Sequence, residues 1–210
     1  TEFEGCPGGL ASLDAAIMEL LSLADEYADS PLFIYDLVDV TKQSVSLHVD
    51  LMLQEAVAAY QAKDIEKGDA LTAQITKLVT QLDELMGWHQ ESLHTWLSDA
   101  AAYGDNKAES DFYVKNARQQ ITVWGGPKLK DYASKAWQGM YKDFYLPRWS
   151  QYLSALRASV VSDSSFDDAA QQQALIEWEN AWTEQTTIPA PVKPDNPVLL
   201  VNGLMMEVSR

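Results

Sequence analysis

The sequence predicts an all-α fold, an irregular bundle of six to eight helices ending in a short extended arm or hairpin. Three observations carry this expectation. Apolar residues recur at i, i+3, i+4 and i+7 along most of the chain, the period of a helix with one buried face. Prolines stand at Pro31, Pro127 and Pro147, each ahead of such a stripe, and the first turn of a helix is where a missing N–H costs nothing. Hydrophobic residues make up 47% of 210 residues, enough for a real core.

Leu10, Leu13, Ile17, Leu20, Leu21 and Ala24 form the first stripe, which Asp29-Ser30-Pro31 ends. Ser30 is placed to cap the next helix, with Pro31 at its first position. That helix carries Ile34, Leu37, Val38, Val45, Leu53, Ala56, Val57 and Tyr60 and runs to about residue 62. A third helix starts near Asp69, carries Leu71, Ile75, Leu78, Val79, Leu82 and Leu85, and is punctuated by Gly87. A shorter one covers about 90–102, with Leu93, Trp96, Leu97 and Ala100 on its face, and Gly104-Asp105-Asn106 turns the chain. Further helices follow at about 107–121, 127–144, 147–161 and, after a capping loop at 163–168, 168–185. Residues 1–187 are therefore expected to form the helical domain. Residues 188–210 are expected to form a Pro-rich arm, since four prolines fall between Ile188 and Pro197. Beyond them, Asn202-Gly203 between two apolar runs suggests a hairpin with a tight turn. A lone hairpin is marginally stable in water, so this one would have to dock.

A net charge of −16 and a pI near 4.4 argue against a nucleic-acid partner and against binding to anionic membrane surfaces, since both need Lys and Arg. No segment approaches 18 uninterrupted apolar residues, so no membrane span is expected. The single cysteine, Cys6, excludes an internal disulfide and is either free or paired outside the chain. The N-terminus lacks the basic and apolar regions of a signal peptide, so the chain is expected to start after any such peptide or to be a fragment.

Familiar catalytic signatures are missing: no Gly-x-Ser-x-Gly, no Walker loop, no Gly-x-Gly-x-x-Gly and no His-Glu-x-x-His occurs. Glu91 and His94 form one Glu-x-x-His pair, half of a di-iron helix-bundle site whose other half is absent; no metal and no cofactor is expected. Asp36 and Asp39 share one helix face. Paired carboxylates can run glycoside hydrolysis, but two on one turn cannot flank a sugar ring. They are read as structural, partners for Lys42, Arg118 or Arg148. Among seven tryptophans, Trp96, Trp137, Trp178 and Trp182 sit at helical spacing and are read as core. Trp124 sits instead beside Gly125-Gly126-Pro127 at a corner, where binding residues tend to be presented.

Two stretches are more specific than these patterns. Tyr35-Asp36-Leu37-Val38-Asp39-Val40-Thr41-Lys42-Gln43 is one. The other runs from Asp111-Phe112-Tyr113 through Asn116 to Gly126 and Asp131-Tyr132-Ala133 to Phe144-Tyr145-Leu146-Pro147-Arg148-Trp149. In both, the chain resembles the C-terminal helical domain of the alpha-N-acetylglucosaminidases, glycoside hydrolase family 89. Lys42 stands where the family usually carries Arg. The resemblance implies a larger retaining enzyme that removes terminal alpha-linked N-acetylglucosamine, with this domain packed on a catalytic (β/α)8 barrel. The catalytic glutamates belong to that barrel, so this chain alone is expected to be inactive. By motif match the resemblance places Trp124, Gly125, Leu129 and Tyr132 in the substrate pocket, and makes Arg118 and Arg148 structural anchors. It implies a lysosomal, secreted or periplasmic home. The alternative is a stand-alone helical protein-interaction module without catalysis.

Overall fold

The computed structural model describes residues 9–126 and 131–209. Cys6, Pro127 and Leu129 lie outside this set. In chain order the α-helices are α1 (Gly9–Ser22), α2 (Ala24–Tyr27), α3 (Pro31–Gln61), α4 (Ile65–Leu85), α5 (Leu93–Ala101), α6 (Lys107–Gln120), α7 (Leu146–Val161), α8 (Asp168–Thr183) and α9 (Pro197–Val208). Short 3-10 turns occupy Met86–Trp88 and Val123–Gly125, and a π-helical turn occupies Tyr141–Tyr145. No strand forms among the described residues; the one β-type pairing is an isolated bridge between Ser92 and Gln138. The all-α expectation holds. No described helix is long and apolar enough to cross a membrane.

The helix starts follow their sequence signals. Ser30 Oγ accepts the Phe33 N–H and Pro31 opens α3. Ser92 Oγ accepts from Thr95 N at 3.0 Å. Asn106 Oδ1 accepts from Ala108 N and Glu109 N, and the Glu109 carboxylate reaches back to the Asp105 N–H. Side chains thus satisfy donors that the first helical turn leaves open. The third helix begins four residues before the expected Asp69, because Asp64 caps it by accepting from Lys67 N at 3.1 Å.

The chain forms two compact units, Thr1–His89 with Val192–Arg210, and Gln90–Pro191. The first unit buries Ile17 of α1, Leu37, Val45 and Leu53 of α3, Leu78 and Leu82 of α4, and Val201 and Leu204 of α9. The tail at 198–206 is therefore helical, not a hairpin. Asn196 caps it by accepting from Leu199 N at 2.9 Å, Pro197 takes the first turn, and Val201, Leu204, Met205 and Val208 make a buried stripe. Tertiary burial of that stripe outweighs the turn preference of Asn202-Gly203.

The second unit is built around Leu93, Leu97, Val114, Ala117, Ile121, Met140, Phe144 and Trp182, with Trp96, Trp137 and Trp178 packed against them. Of the four tryptophans read as core, Trp182 is buried and Trp96, Trp137 and Trp178 are partly buried against that cluster. Residues 131–139 are not the expected helix. Gly139 has φ +91°, a conformation L side chains rarely adopt, and a Cβ there would come within 2.8 Å of Leu93 Cβ. The Gln138 carbonyl instead accepts the Leu93 N–H at 2.9 Å. The helical turns resume at Met140 and pass through the π turn into α7. Pro147 thus lies inside a continuous helical run. It has no N–H for the Asp143 carbonyl, and the widened turn just before it is a usual way to absorb that.

Candidate functional site

The candidate site lies in the second unit, at the corner after α6. The 3-10 turn Val123–Gly125 follows α6 almost directly, and Gly126 continues at φ +64°. This throws the Trp124 ring outward, leaving the residue 63% exposed, while Gly125 is half-buried beneath it. Tyr132, 66% exposed, meets that ring from the far side of the corner: the two ring centroids lie 5.6 Å apart with planes at 30°. The structure therefore brings Trp124, Gly125 and Tyr132 together. This exposed, stacked pair is unlike Trp96, Trp137, Trp178 and Trp182, which pack on the core of this unit.

The segment that carries Tyr132 is fastened from α7 and the turn before it. Arg148 Nη1 donates to Asp131 Oδ1 at 2.7 Å and to Glu179 Oε1 of α8 at 3.2 Å. Asp131 holds φ +56°, a region costly for most non-glycine residues, and the ion pair helps to fix it there. Burial alone would lower the Arg148 pKa; the hydrogen bonds and charges of Asp131 and Glu179 outweigh that and hold it above the usual value. The guanidinium also lies over the rings of Phe144 and Tyr145, at 5.4 and 5.7 Å. Tyr145 makes the second fastening. Its hydroxyl accepts from Lys135 N at 3.0 Å and donates to the Lys135 carbonyl at 2.9 Å. Burial pushes its phenol up to about 12, so it stays protonated and able to donate at neutral pH.

Beside this corner is a pocket of about 320 Å³, lined by Val123, Phe144, Leu175 and Ile176 with Arg148 and Glu179 at its polar side. Arg118, at the end of α6, is 3% exposed. Its Nη2 donates to the Thr187 carbonyl at 2.7 Å, and its guanidinium stacks 4.2 Å above the Trp182 ring. Burial pulls its pKa down to about 10, partly offset by Asp143, and it remains cationic at neutral pH. Burial in turn raises Asp143, against Lys142 and Arg118.

Asp39 bonds Lys42 Nζ at 2.6 Å and lies 3.6 Å from His89 Nε2, whose ring stacks on Tyr35 at 4.1 Å. Asp36 is exposed. Of the three cations considered for the Asp36 and Asp39 pair, the structure shows Lys42; the bonds just described take Arg118 and Arg148 to other partners. His94 Nδ1 is 2.9 Å from the Pro189 carbonyl, and among the described residues no group of three or more His, Cys, Asp or Glu is assembled for a metal. Asp131 and Tyr145 lay inside the quoted motifs with no role of their own, and Glu179 was not singled out in the sequence. The Phe144–Trp149 motif contained Tyr145, but its partner Lys135 is set by the loop's path.

The all-α fold has structural counterparts. The fold superimposes on a family 89 glycoside hydrolase from Clostridium perfringens, solved in complex with 2-acetamido-1,2-dideoxynojirmycin, with a TM-score of 0.82 at 22% identity, over 95% of this chain and 24% of that one. The same organism's enzyme in complex with GlcNAc-alpha-1,4-galactose gives a TM-score of 0.81 at 22% identity, over 94% of this chain and 23% of that one. Residues 9–207 match the family model of the alpha-N-acetylglucosaminidase (NAGLU) C-terminal domain, and the chain belongs to that family. It is 36% identical to human alpha-N-acetylglucosaminidase over 169 residues, 78% of this chain and 22% of the human protein. The chain thus spans less than a quarter of the length of these relatives.

Proposed function

We propose that this domain works within a longer alpha-N-acetylglucosaminidase, where it packs on the catalytic domain and closes one side of the pocket for terminal alpha-linked N-acetylglucosamine. The observation that carries the reading is the exposed Trp124–Tyr132 pair. Aromatic rings with a polar handle suit the apolar C–H face of a sugar while their polar edges meet its hydroxyls. Trp124 forms the wall, Gly125 allows close approach, and Tyr132 presents its ring edge or hydroxyl. Leu129 is an apolar contact in the same reading. Asp36, Asp39, Arg118 and Arg148 serve structure. The reaction is hydrolysis with retention of configuration. Its catalytic glutamates lie in the part of the enzyme this chain does not include, so the chain alone hydrolyses nothing. The compartment is lysosomal, secreted or periplasmic.

The test uses the longer enzyme and an aryl alpha-N-acetylglucosaminide. Trp124→Ala is expected to lower kcat/KM roughly five- to tenfold, the worth of one aromatic contact of about 1–1.5 kcal/mol. Tyr132→Phe is expected to lower it less, because the ring remains. Unchanged kinetics in both variants would sink the pocket-wall reading.

A further inference from the structure

We infer that Tyr145 is a positioning residue for the aromatic wall: it never meets the sugar, but its hydroxyl latches the backbone that holds Tyr132 against Trp124. This rests on the function proposed above. Between Asp131 and Gln138 the chain has no regular helical or strand ladder, so its peptide groups need other partners or water. One phenol supplies both for a single residue, accepting the Lys135 N–H at 3.0 Å and donating to the Lys135 carbonyl at 2.9 Å. Few side chains can do both. A hydroxyl can, whereas an ammonium or guanidinium only donates. The direction of that hydroxyl is fixed by the ring's packing. The ring stands edge-to-face with Phe144 at 5.5 Å and Tyr141 at 5.9 Å, and the Arg148 guanidinium lies 5.7 Å from its centroid.

Tyr145 and Arg148 are three residues apart and so project on neighbouring paths from one helical run. They reach the loop at Lys135 and at Asp131. Tyr132 is held between these two anchor points, directly after the first. With the anchors in place, the Tyr132 backbone is held where its ring stacks on Trp124, centroids 5.6 Å apart. A pocket wall gains by being held before the sugar arrives, because ordering it on binding would be subtracted from affinity. The π turn ends at Tyr145, and Arg148 follows three residues later in the regular first turn of α7.

The experiment is a double-mutant cycle in the longer enzyme, with Tyr145→Phe, Tyr132→Ala and the pair, on an aryl alpha-N-acetylglucosaminide. Phenylalanine keeps the ring packing and removes the hydroxyl alone. Tyr145→Phe is expected to raise KM more than it lowers kcat, for a fall in kcat/KM of about five- to tenfold. On the Tyr132→Ala background the same change should do almost nothing, since there is no ring left to position. A full, additive loss on that background would overturn the inference, as would wild-type kinetics in Tyr145→Phe while Trp124→Ala and Tyr132→Ala are impaired. In that last case the proposed function stands and the latch falls; if Trp124→Ala and Tyr132→Ala are both silent, the proposed function falls and takes the latch with it. Hydrogen exchange on the unaltered enzyme serves if Tyr145→Phe does not fold. The Lys135 amide is expected to exchange about tenfold or more slowly than that of Ala136, and equal rates would overturn the inference.

Discussion

Replacing Arg148 with Met tests how much the fastening of the corner is worth. Methionine keeps an apolar stem over Phe144 and removes the cation, leaving Asp131 and Glu179 without it. The side chains of Arg148 and Glu179 are each 21% exposed, and their contact is 3.2 Å. A partly buried, charge-assisted bond of this kind contributes about 1.5 kcal/mol. The Asp131 contact is shorter at 2.7 Å, but that side chain is 44% exposed, so solvent screening reduces it to about 0.5–1 kcal/mol. The guanidinium over two rings adds about 0.5–1 kcal/mol. Together Arg148→Met should cost about 2.5–3.5 kcal/mol. Arg148→Lys should recover part of this, because an ammonium keeps the charge but loses the planar group that lies over the Phe144 and Tyr145 rings. The assay is urea unfolding of the 210-residue chain at neutral pH, read by circular dichroism and by tryptophan fluorescence. A loss below about 1 kcal/mol for Arg148→Met would place the pair with ordinary surface ion pairs and refute the claim that it holds the corner. So would equal stability of the Lys and Met variants.

Alkaline stability should depend on Tyr145. Its folded pKa, about 12, lies above the ordinary tyrosine value of 10.0, so the contribution is fully present below pH 10 and is lost as pH rises through 12. The loss is on the order of 2–3 kcal/mol, and Tyr145→Phe should flatten that limb in urea titrations against pH. Gly87→Ala would drive a Cβ into the backbone carbonyl of Val192. Backbone cannot yield as a flexible side chain does, so thermal melts should show a loss of about 2–3 kcal/mol or more. Trp124→Ala, at an exposed position, should leave the stability of the chain within about 0.5 kcal/mol of wild type while impairing the longer enzyme. A large stability loss would instead make Trp124 a packing residue.

The parts of this structure that were legible in the sequence are those whose causes are local. The start of α3 is written in Ser30-Pro31 and that of α6 in the turn Gly104-Asp105-Asn106, because these signals and their helices are neighbours in the chain. The buried stripes of α3 and α4 repeat at the helical period and needed no tertiary knowledge. Where the reading failed, a distant partner decided. Residues 131–139 contain nothing that forbids a helix until Gly139, yet Gln138 pairs with Leu93 and Lys135 with Tyr145. In the tail, Asn202-Gly203 is a strong hairpin signal, and Val201, Leu204, Met205 and Val208 are equally a helical stripe. Burial of that stripe beside α3 and α4 selects the helix. The same division runs through the candidate site. Trp124 was conspicuous by position, and the resemblance supplied Tyr132, but their contact depends on where the loop returns. That return is set by Arg148 meeting Asp131, 17 residues away, and Glu179, 31 residues away. A sequence read by period and motif can name the side chains at such a corner. It cannot supply the ion pair and the phenol that decide whether they meet, because each joins a helical segment to a loop or to another helix, and neither end is marked by periodicity.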